Sequence, residues 1–242
     1  MLKLFQHLYR SSEINSMKKH IVVLTGAGMS AESGIKTFRD ADGLWEGHDV
    51  MEVASPQGFR KNPELVLDFY NQRRRQLKEV EPNSAHTDLA KLEDDYTVSI
   101  VTQNVDDLHE RAGSTNVLHL HGELRKIRST GNRDDIKYWT ENLNIGDLCD
   151  NGYQLRPHIV WFGEDVPMIE NAITICEKAD ILVIIGTSMQ VYPAASLLNF
   201  VHSNVPIFYI DPNPAFINNS SVTVIKATAT EGVKQFTRLL SE

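Results

Sequence analysis

The apolar run Ile21-Val22-Val23-Leu24 passes without a break into Thr25-Gly26-Ala27-Gly28-Met29-Ser30-Ala31. A β-branched strand that runs into Gly-x-Gly-x-x-Ala suits a dinucleotide site, because residues without a Cβ let the backbone turn tightly and approach a pyrophosphate. A helix placed next would aim its unpaired N–H groups at the phosphates. The same pattern also occurs in ordinary turns. A dehydrogenase-type site further needs a second strand ending in an acid about 20 positions on. Here the chain runs instead into Thr37-Phe38-Arg39-Asp40-Ala41-Asp42-Gly43-Leu44-Trp45, a polar stretch with no strand pattern. If the loop binds a nucleotide, its scaffold departs from the common dehydrogenase one.

Short runs that are apolar on both faces recur at 21–24, 96–102, 117–120, 159–162, 181–185, 207–210 and 222–225, as expected for strands of a covered parallel sheet. Helical patterns lie between them at 63–78, 84–93, 105–111, 168–178, 193–201 and 231–240. Alternating strand and helix predicts an α/β fold, a Rossmann-like parallel sheet with helices on both faces. The alternation fails twice. Residues 41–80 hold helix and turn, and residues 125–156 are polar and irregular with scattered aromatics. Those two excursions are expected to meet as a small discontinuous module beside the sheet, which is left with 17–40, 81–124 and 157–242.

Composition narrows the function classes. The 242 residues carry a net charge of −8, with 32 acidic against 24 basic side chains, which argues against a nucleic-acid surface. The dense basic cluster Arg73-Arg74-Arg75 is local. Cys149 and Cys176 form no Cys-x-x-Cys pair, so neither a disulfide framework nor a tetrathiolate zinc site is expected, and a reducing, cytoplasmic setting is the natural reading. The apolar run 181–185 is far too short to span a bilayer. Residues 1–16 alternate polar and apolar and do not read as an export segment. Met17-Lys18-Lys19, directly before the first strand, makes a sensible start and leaves those residues as an extension without assigned function.

Four strand ends deliver polar sets to one edge of the sheet, where ligands of open α/β folds gather. The second strand ends in Thr102-Gln103-Asn104-Val105-Asp106-Asp107, placed to recognise a small polar group or, equally, to cap the next helix. Val117-Leu118-His119-Leu120-His121-Gly122 sets His119 and His121 on one face of a strand. No further ligand spacing completes a metal set, and a strand-end histidine suits a general base. The run 181–185 ends in Gly186-Thr187-Ser188, suited to a phosphate or ribose. Asp211-Pro212-Asn213 offers a ribose-directed acid or amide, although Asp-Pro-Asn-Pro is also a turn in its own right.

Taken in order, Gly26 through Asp40, Thr102-Gln103-Asn104-Val105-Asp106, His121-Gly122, Val160-Trp161-Phe162-Gly163-Glu164 and Gly186-Thr187-Ser188 resemble the sirtuins, NAD-dependent protein-lysine deacylases, over nearly the whole chain from about Lys19. The resemblance implies that Gly26, Ala27, Gly28, Glu32, Phe38 and Arg39 belong to the mobile cofactor loop that holds the diphosphate and ribose of NAD. Gln103, Asn104 and Asp106 would line the nicotinamide pocket. Gly186, Thr187, Ser188, Asp211, Asn213 and Ala229 would hold the adenosine end. His121 would be the catalytic base, with Asn104 beside it. Val160, Phe162, Gly163 and Glu164 would pair with the extended backbone of an acylated-lysine peptide. The implied products are free lysine, nicotinamide and 2′-O-acyl-ADP-ribose.

Two features refine that picture. Tyr70 and Arg73 lie three apart and share a helix face, where a phenol and a guanidinium can converge on one carboxylate. The Tyr-x-x-Arg pair resembles the sirtuin subgroup that prefers succinyl or malonyl lysine; a tyrosine packed on the module beside solvated arginines is the alternative. The departure concerns metal. Sirtuins usually carry four zinc-binding cysteines between the catalytic histidine and the Val160-Trp161-Phe162-Gly163 stretch, but residues 125–156 contain only Cys149, and Ser129 stands about where a first ligand is expected. No zinc is expected, and packing of Ile136, Tyr138, Trp139, Leu143, Ile145, Leu148 and Tyr153 is expected to hold the module instead. A predominantly deacetylating enzyme, an ADP-ribosyltransferase and a non-catalytic NAD or ADP-ribose binding module remain the alternatives.

Overall fold

A computed structural model describes residues 18–36, 44–216 and 221–241. Residues 1–17, Phe38 and Arg39 lie outside the described residues. In chain order the strands are β1 (His20–Thr25), β2 (Leu44–Trp45), β3 (His48–Asp49), β4 (Thr97–Thr102), β5 (Val117–His119), β6 (Gly122–Ser129), β7 (Ile136–Tyr138), β8 (Leu155–Ile159), β9 (Ile181–Ile185), β10 (Ile207–Ile210) and β11 (Val222–Ile225). The α-helices are α1 (Val50–Val53), α2 (Pro56–Lys61), α3 (Pro63–Gln76), α4 (Ser84–Lys91), α5 (Leu108–Arg111), α6 (Ile169–Cys176) and α7 (Ala229–Leu240).

Six strands form one parallel sheet in the order β11-β10-β9-β1-β4-β5. The chain starts in the middle, builds outward through β4 and β5, then returns to the other side of β1 as β9, β10 and β11. That is the doubly wound strand order of the dinucleotide-binding folds, with its switch point between β1 and β9. The departure anticipated from the sequence therefore lies in the connection after β1 and not in the sheet. The side chains explain the two layers: Ile21, Val23, Ile100, Val183 and Ile185 face α4 and α7 through Leu89, Val233 and Phe236. The alternate residues Val22, Leu24, Val101, Leu182 and Ile184 face α6 through Ala172 and Cys176. Period-two strands that are apolar at every position are thus covered twice.

The predicted helix after the glycine loop does not form. Two short 3-10 turns, Ala27–Met29 and Ala31–Ser33, stand there instead. The helix expected over 105–111 shrinks to the single turn of α5, because Asp106 Oδ1 accepts the Leu108 amide at 3.2 Å and starts the helix late. The segment expected as a helix over 193–201 is a 3-10 helix, Ala194–Phe200.

Residues 41–80 are expected to hold helix and turn without a strand; among the described ones β2 and β3 pair as a short antiparallel hairpin ahead of α1, α2 and α3. Ser55 and Asn62 cap α2 and α3 through Gly58 and Leu65 amides, each followed by a proline whose missing N–H costs nothing at that position. Residues 125–156 are less irregular than their polarity suggests: β7, β6 and β8 form a three-stranded antiparallel sheet. The strand expected over 159–162 is really β8, ending at Ile159 and belonging to this smaller sheet, so the expected divisions at 124 and 156 fall inside β6 and β8.

The packing expected for this region is corrected as well. Ile136, Tyr138, Ile145, Leu148 and Tyr153 are exposed. The small core is Leu67, Ile127, Leu143, Cys149 and Leu155, with Phe59 and Trp139 partly buried against it. Buried polar side chains of α3 supply the rest. Asn71 bonds both the carbonyl and the amide of Leu143, and Arg74, only 2% exposed, donates to the carbonyls of Leu124 and Glu141. Arg74 is therefore a staple between α3 and the small sheet and not part of a surface basic patch.

Candidate active site

A cavity of about 560 Å³ runs along the carboxyl edge of the large sheet and under α3. All the described candidate residues line it, from Gly26, Ala27 and Gly28 through Gln103, Asn104, Asp106 and His121 to Gly186, Thr187, Ser188, Asp211, Asn213 and Ala229, with Tyr70, Arg73, Val160, Phe162, Gly163 and Glu164 at the other end. These residues come from eight separate chain segments, several of which converge there because parallel strands all end on the same side.

The glycines have a stricter reason than access to a ligand. At the switch point the Gly26 amide donates to Ile185 O and the Gly28 amide to Gly186 O, at 3.0 and 2.8 Å. A Cβ on Gly28 would stand 2.6 Å from Gly186 Cα, and one on Gly186, whose φ is +61°, would meet Gly28 C at 2.5 Å. Two loops cross backbone on backbone, which leaves no space for a side chain on either. The result is a cradle of bare backbone between β1 and β9.

Ser30, a residue of the glycine loop without a role expected from sequence, organises the cavity floor. Its hydroxyl donates to Asp106 Oδ2 at 2.9 Å and accepts from Asn104 Nδ2 at 3.1 Å. Burial raises the Asp106 carboxyl above its ordinary value, against the hydrogen bonds from Leu108 and Ser30. Gln103 crosses to β9 through Nε2 to Thr187 Oγ1 at 3.1 Å. Asp211 Oδ1 accepts the Asn213 amide at 2.8 Å, closing the turn that Asp-Pro-Asn-Pro suggests. Glu32 lines the cavity, and both of its oxygens take hydrogen bonds from Thr230, at 2.9 and 2.7 Å, and so tie the loop after β1 to the start of α7.

The two histidines separate cleanly. His119 has Nδ1 2.9 Å from Asn104 O and Nε2 2.8 Å from Glu110 Oε1, so both nitrogens must donate. Burial works against that charge, but the Glu110 carboxylate outweighs it and raises the pKa. With no lone pair left, His119 is unsuited to a metal or a base. His121 has Nδ1 3.0 Å from Gln103 O, which requires the proton on Nδ1 and leaves the Nε2 lone pair for the cavity. Burial lowers its pKa, so the imidazole is neutral near pH 7.

At the far end, Tyr70 is fully buried, packed among Trp45, Phe69 and Trp161, and burial raises its pKa. Its hydroxyl accepts from Trp161 Nε1 at 2.9 Å. Indole N–H is a donor only, so the phenolic proton of Tyr70 is not spent on that bond. Arg73 lies on the same wall, its guanidinium stacked 4.0 Å over Phe69 and Nη1 donating to Phe69 O at 2.8 Å. Trp161, absent from the expected site, was legible only as part of the Val160-Trp161-Phe162 stretch.

Glu164 lines the cavity and also anchors the stretch that precedes it. Its carboxylate takes Arg156 at 2.7 and 3.1 Å, Arg128 at 3.0 and 3.2 Å and the Trp161 amide at 2.9 Å. The Arg156 guanidinium also stacks 3.2 Å over Trp161. The amides of Val160 and Phe162 bond His121 O and Ala54 O, so the stretch is held to His121 and to the end of α1.

The residues do not fit zinc. Cys149 Sγ accepts a hydrogen bond from Ser129 Oγ at 3.3 Å inside the small core, and one thiol beside a hydroxyl is no structural zinc set. Among the described residues no group of three His, Cys, Asp or Glu side chains is gathered for a metal, and no helix is long and apolar enough to cross a membrane.

A family model described as the Sir2 family matches residues 26–193. The NAD-dependent protein deacylase of Helicobacter pylori is 64% identical over 194 residues, 80% of this chain and 85% of the relative. That of Bacteroides thetaiotaomicron is 52% identical over 229 residues, 92% of this chain and 98% of the relative. Among solved structures, a Sir2 homologue–NAD complex is similar with a TM-score of 0.82 at 39% identity, covering 100% of this chain and 94% of the other. A Sir2 bound to acetylated peptide is similar with a TM-score of 0.76 at 27% identity, covering 100% and 99%. A family match over most of the chain, relatives more than half identical and a fold shared at a TM-score of 0.82 agree with the cavity at the β1–β9 switch point: the chain belongs to the Sir2 family.

Proposed function

We propose that this protein is an NAD-dependent protein-lysine deacylase that transfers the acyl group to ADP-ribose and prefers succinyl or malonyl lysine. The family and the deacylase names of its relatives support the reaction. The backbone cradle of Gly26, Gly28 and Gly186 fits the diphosphate of NAD, with Ala27, Thr187 and Ser188 beside it. Asp211, Asn213 and Ala229 flank the adenosine end, and Gln103, Asn104 and Asp106 the nicotinamide end. NAD, when bound, supplies an electrophilic ribose carbon with nicotinamide as its leaving group and ribose hydroxyls that receive the acyl group. His121 holds its Nδ1 proton on Gln103 O and takes a hydroxyl proton at Nε2. Asn104, oriented by Ser30, acts beside it. Val160, Phe162 and Gly163 line the cavity, and their backbone groups not already bonded to His121 and Ala54 are left to meet an extended peptide.

The acyl preference rests on one observation. Because Tyr70 Oη accepts from Trp161, its proton is left to donate, and Arg73 stands one helical turn away on the same cavity wall. A neutral phenol and a guanidinium together suit a carboxylate. Both side chains sit on α3, which on this reading carries acyl selection.

The test uses one peptide in acetyl-lysine and succinyl-lysine forms, following nicotinamide and 2′-O-acyl-ADP-ribose together. Faster succinyl turnover, lost in Tyr70→Phe with Arg73→Met far more than deacetylation is, supports the reading. Equal losses on both substrates refute the acyl preference, and nicotinamide release that does not depend on acyl-lysine refutes deacylation.

A further inference from the structure

We infer that Glu46 is a specificity-determining residue: its carboxylate stands at the place beside Arg73 that an acidic acyl group must take, and the substrate has to displace it. This rests on the acidic-acyl reading above.

Trp45 and His48 pair across β2 and β3, so Glu46 and Gly47 alone form the turn, with φ of 51° and 83°. A two-residue turn with both φ values positive favours Asn-Gly, whose side chain tolerates the left-handed region far better than glutamate does. Glutamate in that position is a local cost with no return in the hairpin itself. Its side chain is not spent in solvent either. It is 14% exposed and lines the same cavity wall as Tyr70, Arg73 and Gln76.

Glu46 Oε2 stands 3.0 Å from Lys36 Nζ and 3.8 Å from Arg73 Nη2. The first is a hydrogen-bonded pair with a lysine that is 69% exposed; the second is an ion pair too long for a hydrogen bond, with an arginine that is 13% exposed. Arg73 is meanwhile fixed by Phe69, through its ring and its carbonyl, and its Nε has no partner among the described residues. The arginine is thus rigid and incompletely satisfied, and its counter-charge is held mainly by another residue. An incoming carboxylate can bond Arg73 while Glu46 keeps Lys36. The same turn carries Trp45, whose ring meets Tyr70 edge-on at 6.1 Å, so yielding of one two-residue turn exposes both the guanidinium and the phenol. With Glu46 in place the arginine is neutralised and a small uncharged acyl group is tolerated; with Glu46 removed, an acid is favoured and a neutral group meets an unpaired cation.

The experiment measures kcat and KM of the full chain on matched succinyl-lysine and acetyl-lysine peptides, comparing the wild type with Glu46→Gln and Glu46→Asn. Asparagine suits the turn and so separates charge from folding. The expected result is a fall of about fivefold or more in the succinyl KM in both variants, from removal of like-charge repulsion, with kcat little changed and no fall in the acetyl KM. A rise in the succinyl KM, or both KM values moving together, overturns the inference and leaves Glu46 as a support for Arg73 or for the hairpin. If the wild type turns over succinyl-lysine but the succinyl-to-acetyl KM ratio is the same in both variants, this inference alone fails. Absence of wild-type succinyl turnover overturns the acyl preference and the inference with it.

Discussion

Removing Glu164 tests whether the Val160–Gly163 stretch is held by charge. The carboxylate is 10% exposed and faces Arg156 and Arg128, 8% and 7% exposed, with the Trp161 amide as a third partner. Glu164→Ala leaves two buried guanidiniums without a counter-charge, and truncating one partner of a buried ionic network costs about 3–5 kcal/mol. In a chain of this length each kcal/mol moves the melting midpoint by about 2–4 °C, so Tm should fall by about 10 °C at pH 7. Burial opposes the charge on Glu164, but the two arginines outweigh it and hold the carboxyl below its usual range. Its folded pKa is therefore depressed, the stabilisation is present above the unfolded value near 4.5, and it is lost as pH falls through the folded value. Thermal unfolding followed by circular dichroism from pH 7 to pH 3 should show the wild type and Glu164→Ala converging at the acid end. Because Glu164 also carries the Trp161 amide, the variant should raise the peptide KM. A Tm within about 2 °C of wild type at pH 7 refutes the argument.

Acid should destabilise the protein through His86 and His109, whose rings lie 4.8 Å apart. Burial pushes His86 down to about 4 and His109 well below its ordinary value, so both are neutral when folded and take up protons on unfolding below about pH 6.5. Stability is then full above that pH and falls toward pH 4, by up to about 3 kcal/mol for His86 alone. His119, raised by Glu110, runs the other way and loses its contribution as pH rises through its folded value. A Tm that does not change from pH 6.5 to 4.5 rejects the buried-histidine argument. His121→Ala should abolish turnover while NAD binding by calorimetry persists; unimpaired turnover removes it as the base. Gly28→Ala, whose Cβ would lie 2.6 Å from Gly186 Cα, should cost about 2 kcal/mol or more and weaken NAD binding, and a variant of wild-type stability would show that the two loops separate without cost.

What could be read from the residues follows from range. The strands at 21–24, 181–185, 207–210 and 222–225 and the helix around α3 are visible because a continuous apolar run or a capped 3.6-residue period is a local signal. The strand β6 was missed because Gly-Glu-Leu-Arg-Lys-Ile-Arg-Ser looks like a solvated segment, yet Arg128 and Ser129 are buried, paid for by Glu164 and Cys149 at distant positions. Ile136, Tyr138 and Tyr153 misled for the opposite reason, since hydrophobicity permits burial without requiring it.

The same division holds at the site. That Gln103, Asn104, His121, Gly186 and Asp211 meet was legible, because each follows a strand and parallel strands end together. Which of His119 and His121 keeps a lone pair was not, since Glu110 and Gln103 O decide it across the fold. Nor were the ties that Glu32 makes to Thr230 and Glu164 to Arg156, or the setting of Tyr70 beneath Trp45 and against Trp161. By itself the sequence determined the sheet, the family and the residue types at each strand end, because those depend on neighbours within a few positions. Only the tertiary structure decided protonation, orientation and which carboxylate faces Arg73, because hydrogen bonds and charges act over a few ångströms in space regardless of separation along the chain.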